Sequence, residues 1–484
     1  MGKTKVKEDN SIYIQTVGGQ STQVTGSIST VSYMTKEGRK HLLLEMGMKQ
    51  GGSIWDEYIE NKEMLDDIPI KYATYCFILH NHADHTSNLP ALNNRGFEGR
   101  IIITENNKKI CKKMLKDSVK IHNSNCQYLR QKGKKAKDLY NTKDMWAVID
   151  MMDTYSVGEI HKLDEYISFR FTNNSHIISA TQLELFVTKP NGNCKKIVIT
   201  SDLGNVDNHQ YTYFTEPTIP VSHCDALLIE STYGMGNRNF NKKDCIRERE
   251  ELKQDILRFI NSRNSVLIPA FSLSRLQNLM CWIFDTFKDT WDMKVPIVID
   301  TNLGNQINKL MYDILEGEEL DYWDKVMNFK AFKFLKDYDS SIAFLTSKQH
   351  ALILSSSGMI GGGRSMLHAK QILGNSNGAI LFCGYCSPNT IGGQILDETL
   401  DKVEIEGSVC LKRCTIKKFS SFSSHASQKD LINYMKQCNC QTIVLQHGDE
   451  DAKQELKLKA QEELSKINRT TKVICSYKDY ILKL

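Results

Sequence analysis

The sequence predicts an α/β protein in which one domain interrupts another. Its 484 residues exceed what a single hydrophobic core usually supports, so two domains are expected. Within 13–47, short apolar runs are separated by glycine-rich turns, a pattern typical of the strands of mixed sheets, and further strand-like runs follow up to residue 200. Within 226–405, apolar runs alternate with helix-length segments, which predicts a parallel sheet covered by helices. Strand-like runs return at 442–448 and 472–477, so the first pattern resumes after the second.

The individual elements follow from the spacing of apolar residues along the chain. Ile110, Met114 and Leu115 lie on one face of a helix that is expected over 107–120. Short apolar runs bounded by turn residues predict buried strands at 75–79, 100–104, 167–171, 183–188, 197–200, 226–230, 265–271, 296–300 and 351–358. The helices predicted in the second pattern are 248–260, 276–284 and 303–315.

Composition restricts the class of protein more than its function. Hydrophobic residues make up 40% and charged residues 25% of the chain, as in ordinary globular domains, so extensive disorder is not expected. No apolar run approaches the roughly 18 residues that a membrane helix needs, so no membrane partner is expected. Residues 1–10 lack the apolar segment of a secretion signal, which favours a cytoplasmic location, with the nucleus as an alternative.

The 14 cysteines are too dilute for a disulfide-stapled scaffold, and reduced thiols are expected. Cys383 and Cys386 form a CxxC pair at the end of an apolar run. Buried free thiols are the favoured interpretation of this pair, and a structural zinc site is the alternative.

The densest cluster of chemically active side chains directly follows the predicted strand 75–79. It contains His80, His82, Asp84 and His85 within six residues. Buried imidazoles and carboxylates at this density would need many partners, and a bound metal supplies them. Because alternate residues of a loop face one side, His80 and His82 can share one ion while Asp84 and His85 face a second. A polar loop with chance histidines is the alternative.

Two ions need more ligands, and three further candidates stand at strand ends. His176 lies in NNSHIISA, Asp202 follows the strand 197–200, and His447 follows the strand 442–446. Taken singly, each is more often a turn or cap residue. Their shared position before a turn of small residues favours a common metal site.

Taken together, these motifs resemble the β-CASP nucleases of the metallo-β-lactamase fold, the group that includes ribonuclease J and the nuclease subunit of the cleavage and polyadenylation machinery. The resemblance covers about residues 12–450. Its motifs are HNHADH, TVGGQSTQVTGS, KDSVKIH, LIESTYG, PAFSLSRLQ, SSSGMIGGGR, FCGYCSPNTIGG, FSSHAS and QHGDE. The resemblance implies an αββα metallo-β-lactamase domain formed by 1–208 and 406–484, with a parallel-sheet β-CASP domain inserted at 209–405.

The resemblance also implies a role for each candidate residue. It places one zinc on His80, His82 and His176, and a second on Asp84, His85 and His447, with Asp202 bridging the two. His425 matches a family histidine expected to act as general acid, and Glu230 the acid expected to orient it. Three positions depart from the family pattern: Glu45 stands for Asp, Ser179 for Gly and Ser427 for Asp.

The activity implied is zinc-dependent hydrolysis of RNA phosphodiester bonds, in which Asp84, His425 and Glu230 are catalytic. Water activated by two zinc ions would attack phosphorus, and His425 would protonate the leaving oxygen. Products would carry 5′-phosphate and 3′-hydroxyl ends. His447 favours RNA, because family members that act on DNA usually carry Val there. The alternatives are a DNA nuclease of the same fold, an inactive RNA-binding scaffold, which would be expected to lose ligands, and a small-molecule hydrolase, which would not need the insertion.

RNA contacts are expected from two parts of the chain. The backbone of Ser356, Ser357 and Gly358 and the side chains of Arg275 and Arg364 are candidate phosphate contacts; close packing is the alternative for the glycine. The stretch 106–140 carries eleven Lys and Arg residues against two Asp, which predicts contacts with the RNA backbone. A solvated helix face is the alternative there.

Overall fold

The computed structural model describes residues 10–18, 24–204, 212–238, 241–478 and 480–484. Part of the TVGGQSTQVTGS motif, residues 19–23, lies outside the described residues, as does the predicted boundary between 208 and 209. The strands are β1 (Tyr13–Val17), β2 (Ile28–Thr35), β3 (Gly38–Leu44), β4 (Ala73–Phe77), β5 (Arg100–Ile103), β6 (Met152–Thr154), β7 (His161–Lys162), β8 (Ile167–Asn173), β9 (Thr181–Thr188), β10 (Cys194–Ile199), β11 (His223–Glu230), β12 (Val266–Pro269), β13 (Ile297–Asp300), β14 (Phe332–Phe334), β15 (Leu352–Ser355), β16 (Ala379–Phe382), β17 (Lys402–Ile405), β18 (Ser408–Leu411), β19 (Thr415–Lys418), β20 (Asn439–Gln446), β21 (Lys472–Cys475) and β22 (Ile481–Lys483).

The helices confirm the predicted positions and extend some of them. The helix expected over 107–120 runs from Glu105 to Gln131, with Thr104 as its N-cap. The α-helices are α1 (Ile54–Asp66), α2 (Ala83–Thr86), α3 (Ala91–Asn94), α4 (Glu105–Gln131), α5 (Thr142–Asp150), α6 (Lys242–Asn261), α7 (Arg275–Phe287), α8 (Asn302–Leu310), α9 (Gly317–Met327), α10 (Tyr338–Ser347), α11 (Arg364–Leu373), α12 (Ile391–Leu396), α13 (Gln428–Gln437) and α14 (Glu450–Ser465). None of the described helices combines the length and apolarity that crossing a membrane requires.

Two seven-stranded sheets pack face to face and form the first domain. Their strand orders are β22-β1-β2-β3-β4-β5-β6 and β21-β20-β11-β10-β9-β8-β7. Alternate residues of the strands point into a shared core, in which Phe77 of the first sheet and Phe169 of the second meet edge to face. Helices α1, α4 and α5 cover the outer face of the first sheet, and α13 and α14 cover the second. The predicted αββα arrangement is therefore confirmed.

A third, six-stranded sheet forms the inserted domain. Its order is β14-β13-β15-β12-β16-β19, and every pairing within it is parallel. Apolar clusters cover both of its faces, as the alternation of strands and helices predicts.

Two strands near the ends of the predicted insertion, 209–405, pair differently from what those limits imply. Strand β11 lies inside that range but pairs with β10 and β20 of the second sheet. Strand β19 lies beyond 405 but pairs with β16 of the third sheet. An apolar run shows that a strand forms but not which sheet it joins, which explains the difference. The domain boundaries themselves stay a prediction.

Cys383 and Cys386 are both buried and their thiols contact backbone carbonyls, Cys386 that of Gly358 at 3.6 Å. The metal-compatible clusters found among the described residues include neither cysteine. Burial raises the pKa of each thiol to about 12, as expected for packed, protonated thiols.

Candidate metal centre and active site

The ends of neighbouring strands bring the candidate residues together. Strands β10, β11 and β20 are parallel neighbours, so their carboxyl ends meet at one edge of the second sheet. Asp202, Glu230 and His447 stand at those ends. The loop after β4 carries His80 to the same place from the first sheet, and the single turn of α2 carries Asp84 and His85.

The first cluster consists of His80, His82, His176 and Asp202, whose ligand atoms all lie within 4.8 Å of one another. Nε2 of His176 lies 3.2 Å from Nδ1 of His82. Oδ2 of Asp202 lies 3.4 Å from Nε2 of His176 and 3.6 Å from Nε2 of His80. Three imidazoles and one carboxylate oxygen thus converge on one point.

The second cluster consists of Asp84, His85 and His447. Nε2 of His85 lies 3.3 Å from Nε2 of His447, and Oδ2 of Asp84 lies 3.5 Å from that same nitrogen of His447. Oδ1 of Asp202 lies 3.2 Å from Nε2 of His85 and 3.3 Å from Nδ1 of His447. Asp202 therefore turns one carboxylate oxygen toward each cluster.

Two buried atoms show that these residues fit cations. Nε2 of His80 and Oδ1 of Asp202 are buried and form no hydrogen bond. Leaving such groups unpaired is costly, and one metal ion in each cluster would remove the cost. Imidazole nitrogen and carboxylate oxygen are the donor set that zinc takes in hydrolytic sites.

Glu45 orients the imidazoles of His85 and His80 through their Nδ1 atoms, the nitrogens that face away from the metal positions. Nδ1 of His85 donates to its Oε2 at 2.7 Å, which leaves Nε2 of His85 free as a ligand. Nδ1 of His80 donates to Ser201 Oγ at 3.1 Å, and that hydroxyl donates to Glu45 Oε1 at 2.6 Å. Sequence reasoning missed Ser201, although its position directly before Asp202 was the available signal.

Burial and charge set the protonation states of the ligands. Burial, with the neighbouring His80, lowers the pKa of His82 to about 3, so its imidazole is neutral. Burial raises the pKa of Asp84, but His85 and His447 outweigh it and lower that pKa to about 2. Burial lowers the pKa of His85, yet the carboxylates around it, Asp202 first, raise it well above the usual value. The carboxylates of Asp84 and Asp202 thus keep their charge near neutral pH, which is the form that binds a cation.

His425 and Glu230 form a hydrogen-bonded pair beside the first cluster. Nδ1 of His425 donates to the Glu230 carboxylate, 3.0 Å from Oε1 and 3.2 Å from Oε2. Glu230 is fully buried and also accepts the amide hydrogens of Leu203 and Thr232. The His425 ring lies 4.6 Å from the His176 ring, centroid to centroid, and its side chain is 21% exposed. A partly exposed imidazole is therefore held in one orientation next to the metal cluster.

Arg238 holds the chain around His425 by its backbone, and sequence reasoning missed it. Its guanidinium donates to the carbonyl oxygens of His425 and Ser423 at 2.9 and 2.8 Å, and it lies over the ring of Tyr233. An arginine that acts on carbonyl groups leaves no side-chain pattern in the sequence, so no signal could have found it.

The three departures from the family pattern take supporting positions. Glu45 holds His85 directly through Nδ1 and His80 through the Ser201 hydroxyl. Ser179 has φ of 63°, in the left-handed region where Gly is the usual residue. Ser427 caps α13 in a capping box with Asp430, so His425 is oriented by Glu230 and not by residue 427.

The candidate phosphate contacts differ in how far other groups already engage them. Arg364 donates to buried Asp300 at 2.6 Å. Arg275 keeps Nε and Nη1 buried without a partner, and burial lowers its pKa to about 10. The Ser356 hydroxyl donates to Thr301, and the Ser357 amide bonds within its own loop.

Gly358 packs directly on another side chain. A Cβ at Gly358 would meet Phe271 at 3.0 Å, so this glycine is needed for close packing.

Comparison with known proteins identifies the inserted domain. A family of Beta-Casp domains matches residues 276–395, and a family described as the Zn-dependent metallo-hydrolase RNA specificity domain matches 412–471. The chain therefore contains a Beta-Casp domain and resembles the β-CASP proteins of the metallo-β-lactamase fold. The resemblance predicted from its motifs is confirmed, and its class is that of the zinc-dependent metallo-hydrolases.

Proteins similar to this chain occur in animals, archaea and fungi. Integrator complex subunit 11 of Gallus gallus is 27% identical over 438 residues, covering 88% of this chain and 67% of the relative. Probable RNase MJ4 of Methanocaldococcus jannaschii is 25% identical, covering 86% of this chain and 89% of the relative. Endoribonuclease YSH1 of Candida glabrata is 23% identical, covering 79% and 49%.

A solved structure supports the fold of the whole chain. The crystal structure of a protein of unknown function from Enterococcus faecalis superposes with a TM-score of 0.52, covering 98% of this chain and all of that one, at 14% sequence identity. At that identity the likeness concerns the fold alone.

Proposed function

We propose that this β-CASP protein is a ribonuclease that hydrolyses RNA phosphodiester bonds with two zinc ions. The observation that carries the proposal is Asp202, which turns one oxygen toward each of two ligand clusters, with the His425–Glu230 pair alongside. Two relatives bear the names of ribonucleases, and the family matched at 412–471 is described as an RNA specificity domain. These descriptions favour RNA over DNA. All seven expected ligand positions carry His or Asp, which argues against an inactive scaffold.

In the proposed mechanism, seven residues bind the two zinc ions and a separate residue transfers a proton. His80, His82 and His176 would hold one zinc, Asp84, His85 and His447 the other, and Asp202 both. Zinc in such a site supplies a nucleophilic water at neutral pH and stabilises charge on the phosphoryl oxygens. Asp84 keeps the second cluster anionic.

His425 completes the reaction as the proton donor. With Nδ1 held by Glu230, its Nε2 donates a proton to the leaving 3′ oxygen of the ribose. The products then carry 5′-phosphate and 3′-hydroxyl ends.

The proposed function is tested with end-labelled RNA and DNA of matched sequence, followed by mapping of the product ends. Cleavage of RNA with 5′-phosphate products is expected, at a rate well above that for DNA. Preferential cleavage of DNA would instead establish the nuclease of the alternative class. Binding of RNA without cleavage, by protein loaded with zinc, would establish the scaffold.

The purified protein is expected to contain about two zinc ions per chain, because two clusters of ligands share Asp202. Elemental analysis after dialysis against metal-free buffer measures the number of zinc ions per chain. Chelation should lower Tm, and zinc should restore it, because an ion that binds only the folded state stabilises it. Active protein with almost no zinc would contradict the assignment.

Arg275 is the proposed phosphate contact with the clearest structural support. Its guanidinium lies near Tyr233, whose ring is 6.1 Å from that of His425, and two of its nitrogens lack partners. Arg275→Met is expected to raise KM for RNA by about 10- to 150-fold, the value of a charge-assisted hydrogen bond. Its Tm should stay equal or rise, because a buried unpaired charge is removed.

Arg364→Met is the matched control for Arg275→Met. It removes the partner of buried Asp300, so Tm should fall. If Arg275→Met lowers Tm and leaves KM unchanged, Arg275 serves the fold and not RNA.

A further inference from the structure

An open cavity of about 570 Å³ lies between helices α4 and α5, outside the metal centre. We call it the α4–α5 groove. Its lining combines cationic, amide and apolar side chains, among them Lys116, Lys120, Asn123, Gln127, Met145 and Trp146. Nothing in the proposed catalysis uses these residues.

Positive charge is concentrated along one edge of the groove. Lys112, Lys116 and Lys120 are spaced by four residues and therefore share one face of α4. None of the three forms an ion pair with a carboxylate in the part of the chain that the structure describes. The acid nearest along the helix is Asp117; burial raises the pKa of its carboxyl, and the charge of Lys120 lowers it. The edge therefore presents three ammonium groups against one neighbouring carboxylate, which leaves an excess of positive charge for an anion.

The exposed side chain of Trp146 contacts two of these lysines, Lys112 and Lys116. Nζ of Lys112 and Nζ of Lys116 lie 5.2 and 5.0 Å from the centre of the Trp146 ring. The ring attracts each ammonium, but the two ammonium groups repel each other. An anion between them would relieve that repulsion. Trp146 itself is 39% exposed, although its neighbour Met145 is buried in the domain core.

The floor of the groove offers a hydrogen-bond acceptor. Oδ1 of Asn123 is buried and has no hydrogen-bond partner. A ligand that brings an N–H donor would satisfy it. The amino groups of nucleobases are such donors, and single-stranded RNA exposes them together with flat rings and phosphates.

Helix α4 connects the groove to the metal centre. In its first turn, Asn107 donates to the carbonyl of Leu79, the residue directly before His80, and accepts from Asn81. Lys116 lies nine residues farther along the helix, about 14 Å at 1.5 Å per residue. The groove is thus within the reach of an RNA strand that occupies the active site.

From these features we infer that the α4–α5 groove binds single-stranded RNA beyond the segment held at the metal centre. A base enters beside Trp146 and meets Asn123, and phosphates contact Lys112, Lys116 and Lys120. The inference rests on the proposed ribonuclease function and adds a second RNA-binding subsite to it. An acidic peptide would satisfy the lysines, and its backbone N–H groups could reach Asn123, but its carboxylate side chains offer no flat ring to stack on Trp146.

The test compares cleavage of a long single-stranded RNA with cleavage of an RNA a few nucleotides long, both by the zinc-loaded protein. Trp146→Ala should lower kcat/KM for the long RNA by roughly 5- to 150-fold, the range of one base–aromatic stack. The loss should appear in KM, with kcat unchanged. Cleavage of the short RNA should not change, and Trp146→Phe should recover most of the loss because it keeps a ring.

Salt dependence tests the lysines separately. Changing Lys112, Lys116 and Lys120 together to Gln should flatten the slope of log K against log salt for the long RNA by roughly 2. The matched control changes Lys71, Lys162 and Lys472 to Gln. These exposed residues stand before β4, at the end of β7 and at the start of β21, outside the groove and outside residues 412–471, and should leave the slope unchanged.

Wild-type affinity and slope in both groove variants would overturn the inference. If poly-glutamate binds the wild type, fails to bind the triple-lysine variant, and RNA binding is unchanged, the groove is a peptide site and the inference is wrong. If the wild type cleaves neither RNA, the proposed function fails; the groove is then judged by the binding measurements alone.

Discussion

Asp202→Asn is expected to lose at least about 10³-fold in kcat/KM for RNA. The substitution removes the charge that faces both ligand clusters, and metal-bound charge stabilisation is worth several kcal/mol in a transition state. Zinc content should fall below two equivalents because both sites lose a ligand. The circular dichroism spectrum should stay native, since no apolar core residue is removed.

Asp84→Asn tests the contribution of one cluster without removing a ligand from the other. Asp84 belongs only to the cluster of His85 and His447, so its loss should release one zinc and keep the other. Activity should still be abolished, because both ions are needed. Asp153→Asn is the control, a carboxylate paired with Arg100 at the surface, and should keep activity and both ions. Native structure, two zinc ions and activity within tenfold of wild type in Asp202→Asn or Asp84→Asn would refute the two-metal mechanism.

His425→Ala is expected to lower kcat by about 10²–10⁴-fold while zinc content and RNA affinity stay near wild type. That factor is the usual contribution of a proton donor. Glu230 keeps the amide hydrogens of Leu203 and Thr232 as partners in this variant, so the fold should tolerate the change. Glu230→Gln should lose less, and the double variant should be barely worse than His425→Ala, because the two residues act as one unit.

A substrate whose leaving group departs without a proton provides the decisive measurement for His425. With a 3′-bridging phosphorothiolate at the scissile bond, the sulfur departs unprotonated, and His425→Ala should recover most of its lost rate. His223→Ala is the control, an exposed histidine at the opposite end of β11 from Glu230, and should behave as wild type with both substrates. Loss of a zinc ion, or no recovery with the sulfur substrate, would show that His425 has another role.

The sequence predicted the fold well wherever the signal was local. The alternation of strands and helices predicted the parallel sheet of the inserted domain, because each element is encoded by the spacing of its own apolar residues. The candidate ligands were found in the same way: His80, Asp202 and His447 each stand directly after an apolar strand, and parallel strands bring their carboxyl ends together.

The residue pairs that make the site chemically specific were not visible in the sequence. Glu230 and His425 meet across 195 residues, and Ser201 meets Glu45 across 156. Family resemblance suggested the first pair and nothing suggested the second. Such contacts depend on how sheets pack, which single-chain patterns do not encode.

By itself, the sequence determined which residues can bind metal and which runs become strands, because ligand chemistry and apolar spacing are properties of the residues themselves. The tertiary structure decided which sheet each strand joins, as with β11 and β19, because pairing is chosen by packing between distant segments. The tertiary structure also distinguished the two arginines that the sequence had proposed equally as phosphate contacts. Arg364 is paired with Asp300, while Arg275 keeps two buried nitrogens without a partner. An arginine's role depends on the charge placed beside it, and only the folded chain fixes that neighbour.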